Sequence, residues 1–227
     1  MCAVTVLLHE RLLLLALDDE KGKNRVDFAD KALAGAVFFE LLRSGAVELV
    51  DDRIRVGQGA APTEGVLHDA VATVAGESKP RDVRWWVDHL PSRLDPFLPR
   101  LAASLVESGV LSQEQHKVLG IFPQTRLPER DHAPEAQVRA RLRAVLPGEV
   151  EADADDAELV AMVAALGMIG GLVGGERRKE AERRAKELSE SAELGGAVEE
   201  AVKAAQDAVM AAVVAATLAA SVAATSN

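Results

Sequence analysis

Apolar residues recur three and four positions apart along most of this chain, the period of amphipathic helices. Val4 to Leu17 opens with alternation and passes into a block of leucines, predicting a helix from about Leu7. A polar turn, Asp18 to Arg25, contains Gly22 and leads to a second helix capped by Asp27 or Asp30 and running to about Arg43. Leu33, Ala36, Val37, Glu40 and Leu41 mark its stripe, Phe38 broadens it, and Gly45 ends it in the left-handed conformation. Residues 46–50 and 54–56 alternate on either side of Asp51-Asp52-Arg53 and predict a β-hairpin, followed by loop from Gly57 to Pro62.

Helical spacing returns at Thr63, with Val66, Leu67, Ala70, Val71 and Val74 inward. Pro80 and Arg81 open a helix with Val83, Trp86, Val87 and Leu90 on its core stripe, Trp85 off it, and Pro91 as its break. Pro96 to Ser108 reads as one further helix ended by Gly109. Lys117 to Pro123 reads as a second short hairpin continuing towards Arg126-Leu127. Pro134 to Leu146 is a helix with one basic side, and Pro147-Gly148 breaks it. Asp153 to Asp156 caps an apolar helix, Leu159 to Ile169. Gly170, Gly171, Gly174 and Gly175 form a flexible joint before a charged helix from Glu176 to Leu194. There opposite charges three and four apart support one another.

The run from Gly196 to Ala224 is rich in alanine, and no charge follows Asp207. A helix apolar nearly all round is buried, in a core or in a bilayer. The uncharged part, about 20 residues, has the length of a membrane span. Yet Thr217, Ser221, Thr225 and Ser226 interrupt it, and no Trp, Tyr or basic residue anchors its ends. We therefore expect a central core helix. No internal repeat or long linker divides the 227 residues, so the expected architecture is one mainly α domain, 1–227, with one or two small β-hairpins.

Composition narrows the function. Asp and Glu outnumber Lys and Arg by 36 to 26, a net charge of −10, which argues against nucleic acid as a partner. Tyr is absent, so Leu, Val and Ala fill the core. The single cysteine, Cys2, has no internal disulfide partner, which predicts a reduced, cytoplasmic setting. Leu12 to Leu17 lacks the flanks of a signal peptide.

Catalytic patterns are missing. His9-Glu10, His68-Asp69 and Asp88-His89 set a base beside a carboxylate, but neighbours on a helix point about 100° apart. There is no H-E-x-x-H, C-x-x-C or G-x-S-x-G, and the acidic turn 18–20 reads as solvated. The G-G-L-V-G-G run follows no strand and carries no Lys-Ser/Thr, unlike a phosphate loop. We expect no enzyme, no cofactor and no metal. Lys21, Lys23 and Arg25 precede a helix start, where unpaired N–H groups and the helix dipole favour an anion. The run 176–187 holds six basic and four acidic residues and reads as a solvated face. Trp85, beside Arg84, is a candidate membrane or partner contact.

The motif order carries a resemblance. L-L-L-L-A-L-D-D-E-K-G (12–22), A-L-A-G-A-V-F-F-E-L-L-R-S-G-A-V-E-L (32–49), G-V-L-H-D-A (65–70), R-W-W-V-D-H-L (84–90) and R-L-A-A-S-L-V-E-S-G-V-L (100–111) are colinear with the GPP34, Golgi phosphoprotein 3-like, family. A-V-M-A-A-V-V-A-A (208–216) resembles that family's last hydrophobic helix, and the Ala/Val/Arg bias resembles an actinobacterial-type member.

The resemblance implies a helical domain with edge hairpins and a peripheral membrane protein. It also implies binding of phosphatidylinositol 4-phosphate and of cytosolic glycosyltransferase tails, and homo-oligomers formed through a protruding hairpin. The family's membrane-inserting Trp falls near Arg25, its L-R-G arginine on Ala34, and its two further basic residues on Asp95 and Leu98, so none of the four is kept. Lys21, Lys23, Arg25 and Arg93 lie near the same places and are the candidate contacts for an anionic lipid headgroup. The alternative is a soluble protein–protein interaction module that has lost lipid binding.

Overall fold

The computed structural model describes residues 6–17, 29–118 and 122–191. The Lys21–Arg25 loop and the apolar run 196–224 lie outside them. Helix α1 (Leu8–Ala16) begins at a leucine, which has no oxygen to cap a helix. Two glutamates replace the cap. Glu10, in the first turn, accepts the Leu7 N–H at 2.8 Å, and Glu40 of α2 (Ala29–Arg43) accepts the Leu8 N–H. Helix α2 is the centre of the described bundle. Every residue from Ala32 to Leu42 is buried, so that stretch has no solvent-facing side, and Glu40 is the helix's single buried charged side chain.

Gly45, at φ +70°, closes α2, and the Gly45 N–H donates to the Leu42 carbonyl. Strands β1 (Val47–Val50) and β2 (Arg53–Val56) follow, paired antiparallel from Val47↔Val56 to Val50↔Arg53. The turn is two residues, not three. Asp51 and Asp52 both have positive φ, as the tightest hairpins require and aspartate tolerates, so Arg53 joins the strand. The chain then returns across α2's end: the Gly57 and Gly59 N–H groups donate to the carbonyls of Ala46 and Gly45 at 2.9 and 2.8 Å. A Cβ on Gly59 would stand 2.2 Å from the Ser44 carbonyl oxygen. Gly59→Ala is therefore expected to destabilise by about 1–3 kcal/mol, read from the urea midpoint; an unchanged midpoint would refute this backbone contact.

Helix α3 (Gly65–Gly76) starts two residues after Thr63, behind Glu64 as N-cap, whose side chain makes no capping bond. Helix α4 (Val83–Arg93) is capped by Asp82, which accepts the Trp85 N–H at 2.8 Å. Pro91 does not break α4. It sits in the last turn, where its ring removes a single backbone bond. The flanking Leu90 and Leu94 are both buried, and the Leu94 N–H still reaches the Leu90 carbonyl. The buried Trp86 packs on Phe38 of α2, with ring centroids 5.7 Å apart. The single helix expected over Pro96–Ser108 is two, α5 (Phe97–Leu101) and α6 (Ala103–Glu107), joined at Ala102.

Strands β3 (Glu114–Val118) and β4 (Phe122–Arg126) pair antiparallel, Glu114↔Arg126 to Val118↔Phe122. After α7 (Ala133–Val145), Asp153 and Asp156 form a reciprocal cap for α8 (Ala154–Ala165). That helix stops short of Ile169. Gly167, at φ +67°, donates to the Ala164 carbonyl and Met168 to the Val163 carbonyl, the two bonds of a Schellman stop. The expected glycine joint is partly helix: α9 (Ile169–Val173) contains Gly170 and Gly171. The buried Ile169 and Leu172 hold it against the core, which outweighs glycine's poor helix propensity. The charged helix α10 (Arg178–Ser191) packs along α8. It does so through Ala181, Ala185 and Leu188, which are buried, while Arg178–Glu182 and Arg183–Glu187 pair on the outside. The described chain is thus mainly helical with two small hairpins. Among the described residues no helix is long and apolar enough to cross a membrane.

Candidate functional site

Four residues spaced by four, Arg81, Trp85, His89 and Arg93, share one side of α4 and the turn leading into it. Trp85 is half-buried at their centre. The His89 ring stacks on its indole, centroids 4.2 Å apart and planes within 10°. The Arg81 and Arg93 guanidinium carbons lie 4.5 and 5.2 Å from its ring centroid, within cation–π range. Both arginines also converge on Glu77, at 3.7 Å from Arg81 and 2.9 Å from Arg93. Partial burial pushes the Glu77 carboxyl upward. The Arg93 hydrogen bond and the charges of Arg93 and Arg81 outweigh that and hold it below the usual carboxylate range. Arg81 is placed by the sheet: its carbonyl accepts the Ile54 N–H at 2.8 Å. Asp82 is tied to β2 by Arg53 at 2.8 Å. The hairpin and α4 therefore fix this cationic, aromatic surface jointly.

Of the residues singled out by sequence, Arg93 and Trp85 are brought together here. Lys21, Lys23 and Arg25 lie outside the described residues. Ala34, where the family's L-R-G arginine falls, is fully buried in α2. Asp95 is exposed and Leu98 half-buried, just beyond α4. Arg81, His89 and Glu77 were not anticipated; the four-residue repeat 77-81-85-89-93 was the available signal.

The adjacent acid–base pairs separate as helical geometry requires. His9 Nδ1 meets Glu40 at 2.6 Å, whereas Glu10 serves the Leu7 N–H. His68 faces the Pro62 carbonyl and Asp69 takes Arg100 at 2.7 Å. His89 faces the Trp85 carbonyl and Asp88 binds Lys31 of α2. His9, Glu10, Arg100 and Ser104 do border one recess of about 300 Å³. His9, Glu10 and Arg100 are each committed to one of these structural bonds. Among the described residues no group of three or more His, Cys, Asp or Glu could hold a metal ion.

A second polar cluster is centred on a buried carboxylate. Glu158 of α8 is buried, its nearest cation is Arg43 Nη1 at 3.7 Å, and Arg11 and Arg43 both reach its neighbour Asp155. This cluster ties α1, α2 and α8 together, with Glu158 beneath the surface and Asp155 and Arg43 half exposed above it.

Comparison with known proteins agrees with this architecture. Residues 8–219 match the family described as Golgi phosphoprotein 3 (GPP34). Vacuolar protein sorting-associated protein 74 of Eremothecium gossypii is 30% identical over 173 residues, which is 65% of this chain and 51% of that protein. The match thus spans about half the length of the curated relative. With a family match covering nearly every element from α1 onward, the chain belongs to the GPP34 family.

Proposed function

We propose that this protein is a peripheral membrane adaptor that docks on an anionic lipid headgroup of the phosphatidylinositol 4-phosphate type. It works at the cytoplasmic face of a membrane and holds a protein partner there. The observation that carries the reading is the family match over residues 8–219. The cationic surface of Arg81, Trp85 and Arg93 supports it, because it lies beside the chain positions where the family's lipid contacts fall. An indole between guanidinium groups suits the boundary between headgroups and water. Lys21, Lys23 and Arg25 would add charge to the same headgroup contact. The relative's name associates it with vacuolar protein sorting, which fits an adaptor better than a catalyst.

Co-sedimentation with phosphatidylcholine vesicles, with and without phosphatidylinositol 4-phosphate, tests this. Binding is expected only to the anionic vesicles and to weaken with added salt. Replacing Lys21, Lys23 and Arg25 by alanine should weaken it about tenfold, at up to about 1 kcal/mol per basic residue before screening. No binding at low salt, or binding that ignores both this triple change and Trp85→Ala, would overturn the proposal.

A second reading rests on a specific observation. Arg93 is already engaged by Glu77, and the four family positions carry Arg25, Ala34, Asp95 and Leu98. A soluble protein-interaction module without lipid binding fits these facts, and failure of the vesicle experiment would favour it.

A further inference from the structure

The G-G-L-V-G-G run, which lacks the pattern of a phosphate loop, nevertheless floors a basic recess. The recess lies between the end of α7, α9 and the start of α10 and encloses about 470 Å³. Gly171 and Gly174 line it, and among the described residues its charged lining is Arg143 and Arg177, with no carboxylate. In a chain of net charge −10, a hollow lined by positive charge alone is a local reversal of sign. Arg143 donates its Nε–H to the Leu172 carbonyl at 2.9 Å. That bond fixes the guanidinium plane, and its two terminal nitrogens have no partner among the described residues. Arg177 spends Nη1 on Glu149 at 2.8 Å, but both side chains are more than half exposed, so the pair is weakly held.

We propose that this recess binds a phosphomonoester, gripped by Arg143 and Arg177. Guanidinium forks match phosphate oxygens in pairs, and a doubly charged phosphate presents enough oxygens for two forks at once. The volume accommodates the phosphate with a small substituent. Glu149 acts as the competing anion that an incoming phosphate displaces from Arg177. Among the described residues its lining includes neither Trp85 nor Arg93, so the site is separate from the surface of α4 on which the membrane reading draws.

The test uses the full chain and two probes. Glycerol 3-phosphate is titrated calorimetrically at fixed ionic strength, and phosphatidylcholine vesicles with and without phosphatidic acid are co-sedimented. Glycerol 3-phosphate is expected to bind saturably. Arg177→Gln, which disturbs only an exposed pair, should weaken it about tenfold. Glu149→Gln should tighten it, and Lys21, Lys23 and Arg25 replaced together by alanine should leave it unchanged. Arg177-dependent binding to phosphatidic acid vesicles alone also supports the site and assigns its phosphate to a lipid. If neither probe binds, or binding survives Arg177→Gln and ignores Glu149→Gln, the proposal is wrong.

Discussion

Glu40→Ala is expected to lower the stability of the protein by about 3–5 kcal/mol, the usual effect of removing one member of a buried polar pair. Two losses combine. His9, buried with its Nδ1 at 2.6 Å from the carboxylate, loses that partner. The Leu8 N–H, which Glu40 caps from α2, is left without an acceptor, and α1 has no side-chain oxygen at Leu7 to replace it. Glu40→Gln should cost less, because an amide oxygen can still accept one of these bonds. Urea denaturation of the two variants and the parent distinguishes the cases; an Ala midpoint equal to the parent's would show that the cap and the histidine contact contribute little.

Glu158→Gln is expected to stabilise the protein by an amount that grows as pH rises from about 4.5 to about 7. Burial pushes the Glu158 carboxyl up to about 7. Arg43 and Arg11 oppose that shift, while Asp155 and Glu40 reinforce it. The unfolded chain releases this proton near its ordinary value of 4.5. Between those two points the native state holds a proton that the unfolded state has lost, so stability falls as pH rises through the window. Above it the penalty is complete, on the order of 2–3 kcal/mol; below about 4.5 it is absent. The glutamine variant carries no such charge. Its advantage over the parent should be largest at pH 8 and small at pH 5, and an identical difference at both would remove Glu158 as the titrating group.

Most of the fold could be read from the sequence because its helices obey one period and its breaks carry glycine with a left-handed backbone. The distinction between Trp86 in the core and Trp85 off it came from that period and agrees with the structure. So did the two hairpins. Where structure and local preference differ, tertiary burial decides. Pro91 stays within α4 because Leu90 and Leu94 are buried around it, and Gly170–Gly171 are helical because Ile169 and Leu172 anchor them. The candidate site was less legible. Arg93 emerged from its place in the family pattern, but its counter-ion, Glu77, sits in a turn after α3, where helical periodicity has no authority. The spacing 77-81-85-89-93, which runs through that turn into α4, is the one sequence feature that aligns it with Arg81 and Arg93.

Helix α2 has neighbours on every side, and Ala34 within it has no accessible surface. Enlarging Ala34 to arginine would have to push another helix aside before its charge met solvent. Gains and losses of surface chemistry in this scaffold are therefore channelled to helix ends and connecting loops, and ligand preference can drift there while the interior stays still.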